Sequence, residues 1–158
     1  MTPDAVTKTD SGSLALFERI AREALPLIGY RLFTVTAFDA VAMQVERVYS
    51  SDPSTYPVGG RKPKRNTEFG RHVLIAGESL LTEGDAEIAR IFDDHETIRG
   101  LGLHSSINAP VLGKDGCVVG VLNFLMPGDH VTPNQLQAAF RFAREAAVIA
   151  ALAERDLA

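Results

Sequence analysis

The segment Leu103 to Met126, LHSSINAPVLGKDGCVVGVLNFLM, constrains the fold more than any other stretch. Two apolar runs flank Gly113-Lys114-Asp115-Gly116, whose terminal glycines and aspartate favour tight chain reversal, the pattern of a β-hairpin. If these four residues close the loop, Leu112 faces Cys117, and the ladder sets Ala109 opposite Gly120, Ile107 opposite Leu122 and Ser106 opposite Asn123. Alternation then collects Ser105, Ile107, Ala109, Val111, Val118, Gly120, Leu122, Phe124 and Met126 on one face, nearly all apolar. The other face carries His104, Ser106, Asn108 and Asn123 among Pro110, Cys117, Val119, Val121 and Leu125. A solvated sheet face carries charges, and this one has none within its strands. Neutral donors and acceptors among β-branched residues read as the wall of a small-molecule pocket. The competing reading is a second core layer whose asparagines tie down loop backbone.

The 158 residues suffice for one domain with a sizeable core: a loose tail over 1–12 and a single domain over 13–158. No apolar run approaches the roughly 20 residues needed to span a bilayer, so no membrane partner is expected. The start of the chain lacks the apolar core of a secretory signal, and the single cysteine, Cys117, has no intrachain partner, which points to the cytoplasm. A net charge of −4 argues against general nucleic-acid binding, which calls for a basic face.

Along the chain, Ser13 caps a helix with Leu14, Phe17, Ile20, Ala21, Ala24 and Leu25 at helical spacing, ending near Pro26 and Gly29. Arg31 to Phe38 and Met43 to Ser50, rich in β-branched and aromatic residues, form a second hairpin. A turn over Asp39 to Ala42 sets Thr34 opposite Arg47 and Leu32 opposite Tyr49, and gathers Thr34, Thr36, Arg47 and Tyr49 on one side. An arginine on a half-buried strand needs an anionic partner, either a protein carboxylate or a ligand carboxylate or phosphate. Residues 51–66, with three prolines and two adjacent glycines, read as an irregular loop, either a basic lid bearing Arg61, Lys62, Lys64 and Arg65 or a solvated excursion.

Thr67 can cap a short helix through Ala76 with Phe69, Val73 and Leu74 inward, Glu78 to Thr82 reads as an edge strand, and Asp85 can cap a helix burying Ile88, Ile91 and Phe92. Residues 93–102 lead into the hairpin. Thr132-Pro133-Asn134-Gln135 is a capping box that starts a helix running to about Arg155. Its stripe is Leu136, Ala139, Phe140, Ala143, Ala147 and Ala150. Phe142, Val148, Ile149 and Leu152 widen the apolar surface, which suggests pairing with the same helix of a second subunit.

With this order of elements the chain resembles a GAF domain over about residues 14 to 155. The resemblance rests on Phe33 to Asp39, Arg47 to Ser51, Tyr56 to Gly60, Asp94-His95-Glu96, Ile98, Leu101-Gly102, Ser106 to Val111 and Gly120 to Leu125. These are similar to the pattern of stand-alone bacterial GAF proteins. The resemblance implies an α+β, PAS-like fold: a central antiparallel sheet of about six strands, terminal helices on one face, and loops and short helices over a pocket on the other. It also implies dimerisation through the terminal helices. Free methionine sulfoxide reductases of this family use cysteines, but Leu103-His104 stands where several relatives place one, and Cys117 reads as a small semi-buried hydrophobe, so that chemistry is not expected. The helical segment has no cysteine for tetrapyrrole attachment, and the Asn-Lys-Phe-Asp-Glu pattern of cyclic-nucleotide sites is absent. No cofactor is thereby named.

Two functions remain, beside a third reading, a dimerisation scaffold with an empty pocket, that leaves the polar face unexplained. In the first, a cytoplasmic sensor or accessory protein holds a small polar or anionic metabolite through Arg47, Tyr49, Tyr56, His104, Ser106, Asn108 and Asn123. In the second, the same pocket is an enzyme using acid–base chemistry through His104 or His72, or a metal-bound water. A metal site of His72, His95, His104 and an aspartate is conceivable, but no pair has compact ligand spacing and none is expected. A serine nucleophile beside His104 is not supported, because adjacent strand residues point to opposite faces. Binding is preferred, since no assembled catalytic constellation is visible.

Overall fold

The computed structural model describes residues 11–157, with side chains over 12–147. In chain order the elements are helix α1 (Ser11–Ile28), strands β1 (Leu32–Asp39), β2 (Gln44–Ser50) and β3 (Arg61–Pro63), a π-helix (Gly70–Ile75), β4 (Leu80–Glu83), helices α2 (Asp85–Ile91) and α3 (His95–Gly100), strands β5 (Ser105–Leu112) and β6 (Val118–Met126), and helix α4 (Pro133–Leu157). The strands form one sheet in the order β3-β2-β1-β6-β5-β4, with every neighbouring pair antiparallel. This is the α+β architecture expected. The tail residues 1–10 and the side chains of Val148, Ile149, Ala150 and Leu152 lie outside the described residues.

The helical face of the sheet is the main core. Phe17, Ile20, Ala24 and Ile28 of α1 and Ala139, Phe142, Ala143 and Ala146 of α4 pack on Phe33, Val35, Ile107, Ala109, Leu122 and Phe124. Phe33 and Phe124 stack at 4.7 Å between ring centroids. The stripe of α4 turns on Phe142, which is fully buried, while Phe140 is exposed. Leu14 and Leu25 of α1 are also exposed, because the small residues Ala21 and Ala24 take the seam. The capping box forms as read: Thr132 N–H donates to Gln135 Oε1 at 2.9 Å and Gln135 N–H to Thr132 Oγ1 at 3.1 Å.

Both hairpins form, with shifted registers. In the β5–β6 hairpin, Gly113 N–H donates to Cys117 O, so the loop closes over Lys114-Asp115-Gly116, with Gly116 at φ 83°. A further irregularity at Val111/Leu112 sets Ile107 opposite Phe124, Ala109 opposite Leu122 and Asn108, rather than Ser106, opposite Asn123. The total slip of two residues preserves the faces between 105 and 111. Nearer the turn it does not: Val118 joins the cluster of Val121, Phe69 and Val73 on the non-helical face, Val119 packs on the helical side, and Cys117 is exposed rather than semi-buried.

In the β1–β2 hairpin the four-residue turn lies one residue further along than expected, over 40–43, because Asp39 still pairs with Gln44. Asp39 Oδ1 accepts from the N–H groups of Val41 and Ala42, and Met43 takes a left-handed φ of 53°. Thr36 thus faces Arg47. A bulge at Val48 then sets Tyr49 opposite Val35, which turns Tyr49 onto the helical side against Phe17 and Phe33.

Other segments also differ from expectation. The loop over 51–66 contains β3, the sheet's outermost strand on that side, and residues 93–102 contain α3. The helix after Thr67 is a π-helix, still with Phe69, Val73 and Leu74 buried. The edge strand at β4 begins two residues later than read. Gly84, not Asp85, is the N-cap of α2. Among the described residues no helix is long and apolar enough to cross a membrane.

Candidate functional site

The non-helical face of the sheet holds a cavity enclosing about 80 Å³. Its floor crosses three strands: Val45 and Arg47 from β2, Leu32, Thr34 and Thr36 from β1, and Asn123 and Leu125 from β6. Tyr56, Gly60, Lys62 and Lys64 close one side, and Phe69, Phe92, Asp94 and Ile98 complete the cover. Alternation explains the floor. Phe33, Val35 and Ala37 point to the helices, so the intervening threonines point to the cavity.

Arg47 is the most constrained polar group. Its Nη1 donates to Pro57 O at 3.0 Å, and its guanidinium carbon lies 5.0 Å from the Tyr56 ring centroid. Its Nε is buried with no acceptor among the described residues. Burial lowers its pKa, against the opposing pull of Tyr56 and Asp94. The backbone around it is tied to the cover as well, since Arg47 N–H donates to Gly60 O and Gly59 N–H to Arg47 O.

Tyr56 is buried and its hydroxyl donates to Asp94 Oδ2 at 2.6 Å, which fastens the loop to the segment between α2 and α3. Burial, and then that carboxylate, push the phenol pKa up. Lys62 bridges to Asp93 at 2.9 Å and, more distantly, to Asp94 at 3.9 Å. Lys64 instead sends its ammonium over Phe69, 4.9 Å from the ring centroid, with no carboxylate in salt-bridge range among the described residues; burial, and then the charge on Lys62, lower its pKa. Asn123 Nδ2 donates to Thr34 O at 3.3 Å and Thr34 Oγ1 at 3.2 Å.

The backbone of Lys64 is fixed. Its carbonyl accepts from Thr67 Oγ1 at 2.7 Å, and Gly70 approaches so closely that a Cβ there would stand 2.3 Å from that oxygen. Thr67 Oγ1 in turn accepts from Gly70 N–H at 3.0 Å, although Phe69, not Thr67, is the N-cap of the π-helix.

Of the residues singled out from sequence, Arg47, Tyr56 and Asn123 line the cavity, and Tyr49, His104, Ser106 and Asn108 do not. Ser106 and Asn108 are fully buried at the junction with the edge strand. Ser106 Oγ lies 2.6 Å from Thr82 Oγ1, and Asn108 Nδ2 donates to Leu80 O and Ser106 Oγ. These polar groups pin β4 to β5, which is the backbone-tying role weighed against a pocket wall.

None of the four histidines lines the cavity. His104 sits at the sheet's end with Nδ1 2.7 Å from Asp85 Oδ1, and His72 Nε2 meets Ser79 O at 2.8 Å. Neither His104 nor His72 is thus placed to act on a ligand in this cavity. Among the described residues no three His, Cys, Asp or Glu side chains are placed to hold a metal ion. Sequence reasoning read Phe69 and Phe92 only as core residues, and placed Lys64 in a possible lid and Asp94 near the pocket rim without singling out either as a lining residue. The alternation Lys62-Pro63-Lys64 was the available signal, because two lysines at period two beside a strand point the same way.

Solved structures share this architecture at low identity, which speaks to fold alone. A GAF domain/HD domain protein from Geobacter sulfurreducens aligns with a TM-score of 0.74 and 14% identity, over 95% of this chain and 96% of that one. The GAF-B domain of DevS from Mycobacterium smegmatis gives 0.66 and 23%, over 92% and 98%. A phycocyanobilin-bound GAF domain from a cyanobacterial phytochrome gives 0.65 and 16%, over 90% and 96%. No curated protein matches the chain. The GAF domain family model, by contrast, matches residues 14–149, which carry the whole sheet and most of both long helices, and the chain belongs to the GAF domain family.

Proposed function

We propose that this protein is a small-molecule-binding GAF domain that takes an anionic ligand in the cavity between the sheet and the 51–66 loop, in a sensor or accessory role. The observation that carries the reading is the charge of the lining: Arg47, Lys62 and Lys64 against the single carboxylate Asp94. Half-buried cations that lack a carboxylate partner are costly, and an anion that accepts from Arg47 Nε and approaches Lys64 would relieve both. Cations held ready cost less to organise when the ligand arrives. The size of the cavity limits the ligand to a few heavy atoms unless the cover opens, since drug-sized ligands occupy roughly 300–1,000 Å³.

A thermal-shift screen of small carboxylates, phosphate, sulfate, neutral amides and amines tests the reading. Anions raise Tm and the neutral and cationic compounds do not, and Arg47→Ala removes the response. A response that survives Arg47→Ala removes Arg47 from the site.

The same proposal includes a homodimer through the terminal helices. Leu27 and Phe140 are exposed and line one shallow groove between α1 and α4 with Ala138 and Arg141. A second copy covering this groove would take apolar surface out of water.

A further inference from the structure

We infer that the cavity selects a monocarboxylate with a short apolar body over phosphate, sulfate and dicarboxylates. This rests on the anion-binding reading above and names the ligand class of that same site.

Charge is the first argument. Arg47, Lys62 and Lys64 line the cavity; Asp94 lines it too, and Asp93 is paired with Lys62. Three cations against two carboxylates leave one positive charge, which matches one negative charge on the ligand. A dianion would sit in the same small space as Asp94 with no cation left for its second charge.

Donor geometry is the second. With Nη1 of Arg47 committed to Pro57 O, its Nε and Nη2 form the remaining edge of the guanidinium, two parallel N–H groups in one plane. That edge matches the two coplanar oxygens of a carboxylate. A phosphate offers oxygens in three dimensions and is usually met by several backbone N–H groups at a helix N-terminus or in a nest. This cavity is instead floored by strands whose backbone groups are engaged in the sheet, and its other polar side chains are Thr34, Thr36, Asn123 and the Tyr56 phenol, whose proton goes to Asp94.

The rest of the lining is the third argument. Leu32, Leu125, Val45, Phe69, Phe92 and Ile98 are apolar, so a ligand must present carbon to most of the wall while its anionic end meets Arg47. An inorganic oxyanion has no carbon to offer.

The test uses the full chain and simple probes: acetate, propionate, butyrate, isobutyrate, succinate, phosphate, sulfate and butyramide. Titrations are followed by the Arg47 Nε–H resonance in nitrogen–proton correlation spectra. Butyrate or isobutyrate is expected to bind with Kd on the order of millimolar, as the size of such fragments dictates. Affinity should rise roughly fourfold per methylene from acetate until the space is filled. The Nε–H signal should move downfield with the carboxylates and stay in place with butyramide.

Arg47→Lys, which keeps the charge and loses the fork, should weaken butyrate at least tenfold, read in that variant from the backbone amide signals of the lining residues Thr34, Thr36 and Asn123. Lys64→Gln supplies a second variant should Arg47→Lys fold poorly, and it should weaken butyrate without removing the Nε–H shift. If phosphate, sulfate or succinate binds as tightly as butyrate with the same dependence on Arg47, the ligand class is overturned and the anion site stands. If no probe moves the Nε–H signal, or butyrate binds unchanged in both variants, the site reading falls with it.

Discussion

Lys64 sets an ammonium where water is scarce, against a phenyl ring and below another lysine. Its pKa lies below the ordinary lysine value of 10.5 because burial disfavours the charged form. The unfolded chain therefore holds this proton more tightly than the folded one. Between the lowered pKa and 10.5, folding stability from this group rises with pH, and at lower pH the charged side chain costs stability. Lys64→Met should raise the Tm of the ligand-free protein at neutral pH and weaken anion binding roughly tenfold or more, the value of a charge-assisted hydrogen bond. Anion affinity of the native chain should also decline as pH rises through the lowered pKa. Calorimetric melts and titrations between neutral pH and pH 10 check both; a lower Tm with unchanged affinity would place the ammonium outside the site. At this scale the sequence was half legible. Arg47 declared itself, because an arginine amid β-branched residues has few ways to be satisfied. Tyr49 was misread because one bulge residue, Val48, reverses every side chain beyond it, and an aromatic ring suits either face.

Elements were more legible than their registers. Apolar periodicity located both long helices, and turn residues located both hairpins, because these are local signals. Registers depend on where a turn begins and how many residues it consumes, which the left-handed Met43 closing the 40–43 turn and the three-residue loop ending at Gly116 decide. Pro63 concealed β3: proline cannot donate to a ladder, but at an outer strand its nitrogen faces no partner. The π-helix was unreadable as such, since six residues define no period that separates it from an α-helix. Its seating nonetheless yields a sharp expectation. A methyl group at position 70 would collide with the Lys64 carbonyl oxygen at 2.3 Å and crowd Thr67 Oγ1 at 3.1 Å. Gly70→Ala should cost about 1–3 kcal/mol, as overpacking does, and should also weaken anion binding by moving the Lys64 backbone. Chemical denaturation measures the first and titration the second; a variant as stable as the native chain would show that the approach is looser than described.

The whole molecule is a sheet with two different neighbours. Helices α1 and α4 cover one face and are braced to each other by Arg19 bridging Glu23 and Glu145, with Arg141 beside the same carboxylates. These ion pairs are partly exposed and contribute little singly, so the pairing of the helices rests on Phe17, Ala139, Phe142 and Ala143. The outer side of this pair is where assembly is proposed. Light scattering should give twice the mass of one chain, and Leu27→Glu with Phe140→Glu should return it to a monomer without lowering anion affinity. A monomer in the native chain at micromolar concentration would rule the dimer out.

The strict alternation along β1, with Phe33, Val35 and Ala37 to the helices and Thr34 and Thr36 to the cavity, separates two kinds of inheritance. Substitutions at the first set bear on whether the protein folds, and substitutions at the second bear chiefly on the wall of the proposed binding site. Duplicated copies of such a gene can therefore drift toward new chemical vocabularies at every second position of a strand while the architecture is passed on intact.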